Sequence, residues 1–282
     1  MYLIKKKTRL NSFVTMMEIE APYIAAKAQA GQFIILRVDD DSERIPLTIA
    51  DFDTNAGTVT VIYQIVGATT KKLDAKNEGD SLAAFAGPLG RPTKTEGLKK
   101  IAVVGGGVGC AIAYPIAKKL HEQGSIVHSI VGFRNKELVI LEDKFKNVSD
   151  VFKLMTDDGT YGEKGLVTNA LRELIENGEK YDMVFAIGPI VMMKFVSELT
   201  SEFNIKTTVS MNPIMIDGTG MCGGCRLLVD GKTKFACVDG PDFDGHLVDY
   251  DAVLKRSNMY KDFEKHRYEE ACNLFKGGGG NG

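Results

Sequence analysis

Three cysteines lie close together towards the end of the chain, in a stretch that is otherwise rich in glycine. Cys222 and Cys225 form a C-x2-C pair within DGTGMCGGC, and Cys237 follows after eleven further residues. Cysteine thiolates at such spacing are the usual ligands of structural zinc and of iron–sulfur clusters. The three residues therefore predict a metal or iron–sulfur site that lacks one thiolate.

The fourth ligand is predicted from the plant-type [2Fe–2S] spacing, which is C-x4-C-x2-C followed by a distant cysteine. Asp217 occupies the place of the first cysteine, because four residues separate it from Cys222. A carboxylate can bind iron, although it is a harder ligand than a thiolate. Cys272 as the fourth ligand and a zinc site on the clustered cysteines remain alternatives. The spacing favours a [2Fe–2S] cluster held by Asp217, Cys222, Cys225 and Cys237.

The composition is that of an ordinary folded protein rather than of a nucleic-acid or membrane binder. The 282 residues suffice for two compact domains, and the formal net charge is -2. That charge gives no electrostatic reason to bind nucleic acid, and no run approaches the roughly 18 apolar residues of a membrane helix. The basic start lacks the apolar run of a signal peptide. Five cysteines, an odd number, argue against a secreted disulfide framework and predict a reducing cytoplasmic location.

The first part of the chain has a short, β-like pattern. Residues 31–38, 44–51 and 57–66 are roughly alternating runs rich in β-branched side chains, separated by Gly, Asp and Pro. Closely spaced strands of this kind predict a small antiparallel barrel. The turn-forming sequence GPLGRP then ends this segment, so we place the barrel domain at residues 1–97.

Apolar strands and amphipathic helices alternate in the next part of the chain, which predicts a doubly wound parallel sheet over residues 98–210. Residues 211–249 are rich in Gly and Asp and carry the clustered cysteines. Because such a stretch contains little apolar surface, we expect metal ligation rather than a core to hold it. The remaining segment, 250–282, predicts a charged helix and a flexible glycine-rich tail.

The sequence GGGVGC follows an apolar strand and opens a helix, which is typical of a loop that binds a pyrophosphate. Gly105, Gly107 and Gly109 would let backbone amides approach the phosphates. The match to G-x-G-x-x-G is imperfect, because Cys110 stands where the third glycine belongs, and such turns also serve plain strand–helix packing. Cys110 is predicted to be a small buried residue.

A second acidic turn follows a later strand of the same predicted sheet. Asp157, Asp158 and Gly159 lie in TDDGTYGEKG, at the edge where ligands of doubly wound folds bind. Without a ligand, the same turn would be an ordinary acidic surface loop. We predict that these three residues contribute to the nucleotide site.

Taken together, these segments resemble the ferredoxin–NADP reductase superfamily, and more closely the electron-transfer subunits of dihydroorotate dehydrogenase. The resemblance covers about residues 1–250. In the barrel it lies in RIPLT, which matches the motif arginine–x–(Tyr or Pro)–x–(Ser or Thr), and in the flavin segment that follows. The residues that the resemblance assigns to FAD are Arg44, Pro46, Leu47, Thr48, Ile62, Tyr63, Gln64, Gly67, Thr69 and Thr70.

The resemblance also implies where the nicotinamide lies. AIGPIVMMK stands where most relatives have Cys-Gly-Pro, so Ile187, Gly188 and Pro189 are assigned to this contact, with Ile187 replacing the cysteine. The same family implies that Arg44 binds the FAD pyrophosphate and that Thr48 offers a hydroxyl near flavin N5. Arg134, at the end of the next strand, taken alone favours NADP, whereas the resemblance implies NAD(H).

One branch of the family is still more similar. NPIMIDGTGMCGGC and FACVDGPDFDGHLVD resemble the small subunits of the NADH-dependent reduced ferredoxin:NADP+ oxidoreductases, in which an aspartate replaces the first cluster cysteine. This likeness implies a larger partner with a second FAD and two [4Fe–4S] clusters, and electron bifurcation to ferredoxin and NADP(H) through that partner. The alternatives are electron transfer for dihydroorotate oxidation and a non-enzymatic, zinc-bearing nucleotide sensor.

Overall fold

The computed structural model describes residues 2–277, with side chains through residue 269. The side chain of Cys272, the alternative fourth ligand, and the predicted tail from residue 278 lie outside the described residues. No helix in the described part of the chain is long and apolar enough to cross a membrane.

The first sheet has seven antiparallel strands in the order β6-β1-β2-β5-β4-β3-β7. Its edge strands are nearly consecutive in the chain, and the sheet forms a nearly closed barrel, which confirms the prediction. The elements in chain order are β1 (Tyr2–Asn11), β2 (Val14–Glu20), α1 (Pro22–Ala25), β3 (Phe33–Arg37), β4 (Ile45–Asp53), β5 (Thr58–Gln64), α2 (Ala68–Asp74), β6 (Ser81–Leu82) and β7 (Ala84–Leu89).

The barrel interior is filled by one side of each strand. On β5 the alternating residues Val59, Val61 and Tyr63 are buried in it, together with Ile19 of β2 and Ile34 of β3. The three strands expected from the sequence correspond to β3, β4 and β5. The first two strands were not expected, since charged residues interrupt the apolar pattern of β1.

The second sheet is of the doubly wound type, in the order β11-β10-β9-β8-β12-β13-β16, and this prediction is confirmed. Every neighbouring pair is parallel except β13 and β16. Its elements are β8 (Lys100–Gly106), α3 (Cys110–Glu122), β9 (Ile126–Phe133), α4 (Glu142–Lys146), β10 (Val151–Thr156), β11 (Glu163–Lys164), α5 (Val167–Glu176), β12 (Met183–Ile187), α6 (Ile190–Glu202) and β13 (Thr207–Ser210).

The strand order reverses between β8 and β12, because the chain runs from β8 outward through β9 and β10 and returns to build β12 and β13 on the other side. Ligands of doubly wound sheets bind beyond the carboxyl ends of the strands at such a point. These ends carry the two predicted nucleotide segments, residues 105–109 and 187–189.

The last part of the chain combines a hairpin with short helices and one strand of the second sheet. Its elements are β14 (Arg226–Val229), β15 (Lys232–Phe235), α7 (Ala236–Asp239), β16 (Asp242–Asp244), α8 (Tyr250–Ser257) and α9 (Lys261–Gly277). Leu227, Val229, Phe243 and Val248 are buried in a core that is continuous with the second sheet. The expectation that this stretch has little apolar core was therefore too broad, and it holds only for the loop that precedes β14.

Arg91 and Thr93, in the connection that follows β7, form hydrogen bonds to Gly240 and Asp242, shortly after Cys237 in the chain. Arg91 donates its amide to the Gly240 carbonyl at 2.7 Å. The Thr93 hydroxyl donates to Oδ2 of Asp242 at 2.5 Å. Oδ1 of Asp242 is buried and has no hydrogen-bond partner among the described residues. This carboxyl therefore joins the barrel connection to β16 at the cost of burying a polar atom without a partner.

Burial raises the pKa of Asp242 to about 6. A raised pKa means that the folded state binds more protons than the unfolded state between about pH 4 and pH 6, so ionisation of this group lowers stability as the pH rises through that window. An asparagine at this position does not ionise, so the variant Asp242→Asn should escape this loss. Between about pH 5 and pH 8, the difference in free energy of unfolding between the variant and wild type should shift by about 1–2 kcal/mol in favour of the variant. Thermal midpoints of both proteins at the two pH values measure this change.

Asp244→Asn is the matched control, since Asp244 lies exposed on the same strand. It should leave the pH dependence of the thermal midpoint as in wild type. A parallel pH dependence in wild type and Asp242→Asn would contradict the prediction.

Candidate functional site

Two of the predicted ligands are already adjacent. The Sγ atoms of Cys225 and Cys237 are 3.2 Å apart, and the Cys237 amide donates to the Cys225 sulfur at 3.5 Å. The hairpin of β14 and β15 causes this proximity. Arg226 pairs with Phe235, and the Ala236 amide donates to the Cys225 carbonyl at 3.2 Å, which places Cys237 beside Cys225. Both thiols are free and buried, and a sulfur separation of 3.2 Å is longer than a disulfide bond.

The other two predicted ligands lie in the loop before β14. Cys222 is exposed, and its sulfur accepts the Gly224 amide at 3.4 Å. That hydrogen bond, followed by one from the Asp217 backbone, lowers the pKa of the Cys222 thiol. The Asp217 carboxylate accepts both the hydroxyl and the amide of Thr219, and these bonds lower its pKa, with a smaller contribution from the Arg44 charge. The Asp217 carboxyl and the Cys222 thiol therefore lose their protons more readily than usual, and metal binding requires the deprotonated forms.

The predicted ligands fall into two groups, because the Cys225 and Cys237 sulfurs lie together and the Asp217 backbone amide bonds to the Cys222 sulfur. Among the described residues, no group of three His, Cys, Asp or Glu side chains could hold a single metal ion. A [2Fe–2S] cluster has two irons, each with two protein ligands, so a donor set in two pairs fits it. Burial, and then the neighbouring Cys225 thiol, raise the pKa of Cys237 to about 12, so a metal must displace its proton.

Glycine allows the ligand loop to lie directly on the barrel. Gly218 has a φ of +81°, and a Cβ there would lie 2.9 Å from Cδ1 of Leu89 and 3.1 Å from Cδ1 of Ile35. A larger residue would be strained in its backbone and would push the loop away from β3 and β7. The side chain of Asp217 is thereby held beside the barrel.

A cavity of about 220 Å³ lies where this loop meets the barrel, and both Arg44 and Asp217 line it. Arg44 is exposed just before β4 and has no hydrogen bond or ion pair to a described residue. It is therefore a cation available to an anionic ligand such as a pyrophosphate. The predicted flavin and cluster sites thus adjoin each other.

The other residues assigned to FAD lie on or beside the neighbouring strands β4 and β5, and the side chain of Leu47 packs against the barrel core. Pro46, Leu47 and Thr48 are half-buried on β4, and Gln64 is half-buried at the end of β5, whereas Ile62 is buried. Tyr63 is different, because it is 2% exposed and its hydroxyl faces the Met17 sulfur at 3.7 Å inside the barrel. Its side chain therefore belongs to the barrel core.

The start of α2 lies next to the start of β4. The Thr69 hydroxyl donates to Glu43 at 3.4 Å, which brings the two predicted flavin segments together. The Thr70 hydroxyl accepts the Gly67 amide at 3.0 Å and so caps the helix. The contacts within this turn are therefore those of a helix cap.

The two nucleotide segments form one packed surface. A Cβ on Gly109 would lie 2.6 Å from the Ile187 carbonyl oxygen and 2.7 Å from Cα of Gly188, so only glycine permits this contact. Gly107 has a φ of +54° with open space beside it, and Gly105 packs against the Cys110 sulfur. Burial raises the pKa of the Cys110 thiol, as expected for a structural cysteine. Pro189 is exposed at the end of this surface.

Arg134 and the acidic turn lie at the carboxyl ends of β9 and β10. The amides of Asp157 and Asp158 donate to Phe133 and Arg134 at 3.0 and 3.3 Å, so the two loops touch. Asp158 accepts the Thr160 amide and hydroxyl, which lowers its pKa, and the next residue, Gly159, has a φ of +76°. The sequence-predicted residues on this edge are therefore close to one another and exposed.

Sequence reasoning missed several polar residues of the site. Oδ1 of Asn135 is buried beside Arg134 without a hydrogen-bond partner among the described residues. Three arginines each donate to a carbonyl next to a predicted ligand: Arg91 to Val238 at 2.9 Å, Arg226 to Gly223 at 3.2 Å and Arg256 to Gly224 at 3.1 Å. Only Arg226 could have been suspected, from its place directly after Cys225.

Comparison with known proteins agrees with this arrangement. Residues 212–249 match the family model of the iron–sulfur cluster binding domain of dihydroorotate dehydrogenase B. An uncharacterised protein of Clostridium beijerinckii is 53% identical over 93% of this chain and 91% of its own length. A homologue of the dihydroorotate dehydrogenase B electron-transfer subunit from Thermotoga maritima is 46% identical over 94% of each chain.

A solved structure extends the agreement to three dimensions. It is that of the NADH-dependent reduced ferredoxin–NADP oxidoreductase, studied for flavin-based electron bifurcation; it is 44% identical, covers 96% of this chain and 97% of its own, and has a TM-score of 0.91. With such identity and coverage, the chain belongs to the family of dihydroorotate dehydrogenase B electron-transfer subunits and their homologues.

Proposed function

We propose that this protein is the flavin- and iron–sulfur-containing electron-transfer subunit of an electron-bifurcating, NADH-dependent ferredoxin:NADP+ oxidoreductase. The observation that carries the proposal is the adjacency of the two cofactor sites, because Arg44 and Asp217 line one cavity. The similarity to a solved oxidoreductase of this kind over 96% of the chain supports it.

The residues of the chain would bind and orient the reactants rather than move protons. FAD accepts two electrons as a hydride and can release them one at a time. Arg44 would hold its pyrophosphate by a charge-assisted hydrogen bond, and Thr48 would direct its hydroxyl towards the flavin ring. Gly107 and Gly188 lie in the two loops that would place NAD(H) against it. No acid–base residue is assigned, because hydride transfer at this site needs none.

Asp217, Cys222, Cys225 and Cys237 would hold the [2Fe–2S] cluster. The two pairs of donors support this assignment, as does the lowered pKa of both Asp217 and Cys222. The cluster would carry single electrons between the flavin and an acceptor outside this chain.

Electron transfer for dihydroorotate oxidation is the second candidate function. The name of the Thermotoga maritima relative, 46% identical, favours it. The two functions share the hydride and cluster sites, and they differ in the partner subunit.

We propose that the partner is a larger subunit with a second FAD and [4Fe–4S] clusters, through which ferredoxin and NADP(H) react. Support comes from exposed apolar side chains around the exposed Cys222: Ile216 at 57%, Met221 at 89% and Val238 at 38% of their area. Gly220 and Gly224, which flank this cysteine, pack against Val238 and Ile216. Apolar side chains around an exposed redox ligand are typical of an interaction surface.

Cofactor analysis tests the proposed function. Purified without oxygen, the protein should contain about one FAD, two irons and two sulfides per chain, and NADH should bleach the flavin faster than NADPH does. Arg134→Asp should retain the reaction with NADH. A colourless protein with one zinc per chain would refute the proposal, whereas dihydroorotate-dependent reduction by the native complex would favour the second candidate.

The ligand assignment is tested at Asp217. Asp217→Ala should lose the cluster or bind water in place of the carboxylate, because one ligand is removed. Asp217→Cys should retain a [2Fe–2S] centre with a changed EPR spectrum and a shifted potential, since ligand identity is one of the factors that set both. Cys272→Ser is the control and should leave iron content and spectrum unchanged. The assignment is wrong if Asp217→Ala has no spectral effect while Cys272→Ser destroys the cluster.

The partner surface is tested at Met221. A charge in a buried apolar contact is costly, so Met221→Glu should weaken co-purification with the larger subunit at least tenfold while FAD and iron contents stay as in wild type. Tyr23→Glu is the control, since Tyr23 is 88% exposed on α1 of the barrel. Equal recovery of the complex with both variants would exclude this surface as the interface.

A further inference from the structure

We infer that Arg256 is a positioning residue that fixes the turn between Cys222 and Cys225. It lies on α8, after the segment 211–249 that carries the predicted ligands, and its charge raises the reduction potential of the cluster. This inference rests on the proposed function, because it requires a [2Fe–2S] cluster on these ligands.

The contacts of the turn carry the inference. Three peptide groups link Cys222 to Cys225, and the second and third each accept an arginine at the carbonyl oxygen: Arg226 at Gly223, 3.2 Å, and Arg256 at Gly224, 3.1 Å. The peptide that Arg226 binds donates its N–H, that of Gly224, to the Cys222 sulfur at 3.4 Å. Arg256 binds the next peptide, whose N–H is that of the predicted ligand Cys225, and a cation on a carbonyl polarises its own peptide and strengthens that N–H as a donor.

Arg256 differs from Arg226 in how firmly it is held. Arg226 is exposed and bonds to a residue three positions away, whereas the bond from Arg256 is partly buried and spans 32 positions. Because Arg256 lies on a separate helix, its hydrogen bond restrains the turn relative to the rest of the protein. The hydrogen bond from Arg226 is local and can move together with the turn. Arg256 is therefore the external support of this turn.

The helix that carries Arg256 is anchored on both sides. On one side, the hydroxyls of Tyr250 and of Ser197 on α6 share a buried hydrogen bond of 2.8 Å. Lys194, also on α6, donates to the Asp251 carboxylate at 2.8 Å. On the other side, the Asp249 amide donates to Leu228 of β14 at 3.0 Å. Val253 is buried between them at 4% exposure. A side chain on such a base occupies a defined position.

A fixed positive charge affects the two oxidation states unequally. One-electron reduction adds a negative charge to a cluster whose protein ligands are already anionic, so a nearby cation stabilises the reduced form more than the oxidised form. Loss of the charge at Arg256 must therefore make the cluster harder to reduce.

The experiment separates charge from hydrogen bonding in the complete protein with its cofactors. Arg256→Gln keeps an N–H donor and removes the charge, Arg256→Lys keeps the charge, and Lys255→Gln removes one charge from the neighbouring, exposed position of the same helix. We expect Arg256→Gln to shift the reduction equilibrium of the cluster by about tenfold towards the oxidised form, a potential lower by about 59 mV. Arg256→Lys should restore most of the wild-type potential, and Lys255→Gln should change it by less than about twofold.

EPR-monitored redox titration measures the potentials, and iron analysis accompanies each variant. Unchanged potential in Arg256→Gln, or equal shifts in Arg256→Gln and Lys255→Gln, would overturn the inference. If Arg256→Gln does not retain iron, Arg256→Lys decides: iron at the wild-type potential supports the role of the charge, and loss of iron or a large shift refutes it. A wild-type protein without a [2Fe–2S] signal would instead refute the proposed function.

Discussion

The loop from Asp217 to Cys225 has little apolar core of its own, and its backbone must be held by groups from other parts of the chain. Gly218 lets it lie on the barrel, and arginines satisfy the carbonyls of Gly223 and Gly224. A polar backbone is ordered where its donors and acceptors find partners, so these contacts hold the loop of the predicted ligands in place. The hairpin after the loop is different, since it brings Cys225 and Cys237 together through ordinary strand pairing.

Positive charge is concentrated at this loop although the chain as a whole has a net charge of -2. Arg44 faces Asp217 from the barrel, Arg91 bonds beside Cys237, and Arg226 and Arg256 bond between the other two cysteines. A cluster with four anionic ligands gains negative charge on reduction, and cations at fixed positions offset it. The cations around the predicted cluster site therefore come from four separate parts of the chain.

The features that depend on local pattern could be predicted from the sequence, and those that depend on distant contacts could not. The alternation of strands and helices predicted the doubly wound sheet, which is confirmed, and the spacing of the cysteines led to the proposal of Asp217 as a ligand. The alternation of Val59, Val61 and Tyr63 on β5 is also a local pattern, and it is sufficient to place the Tyr63 side chain in the barrel interior. Arg91 and Arg256 carry no local pattern, because their partners lie 147 and 32 positions away.

The cluster segment begins after β13 and returns as β16, which pairs with that same strand. Both of its ends are therefore fixed in the sheet that also carries the nicotinamide loops, while the flavin residues belong to the barrel. The loop that carries Asp217 is thus attached to the sheet through both ends of its segment and lies against the barrel where Gly218 approaches Leu89, so the predicted ligands bridge the two sheets of the chain.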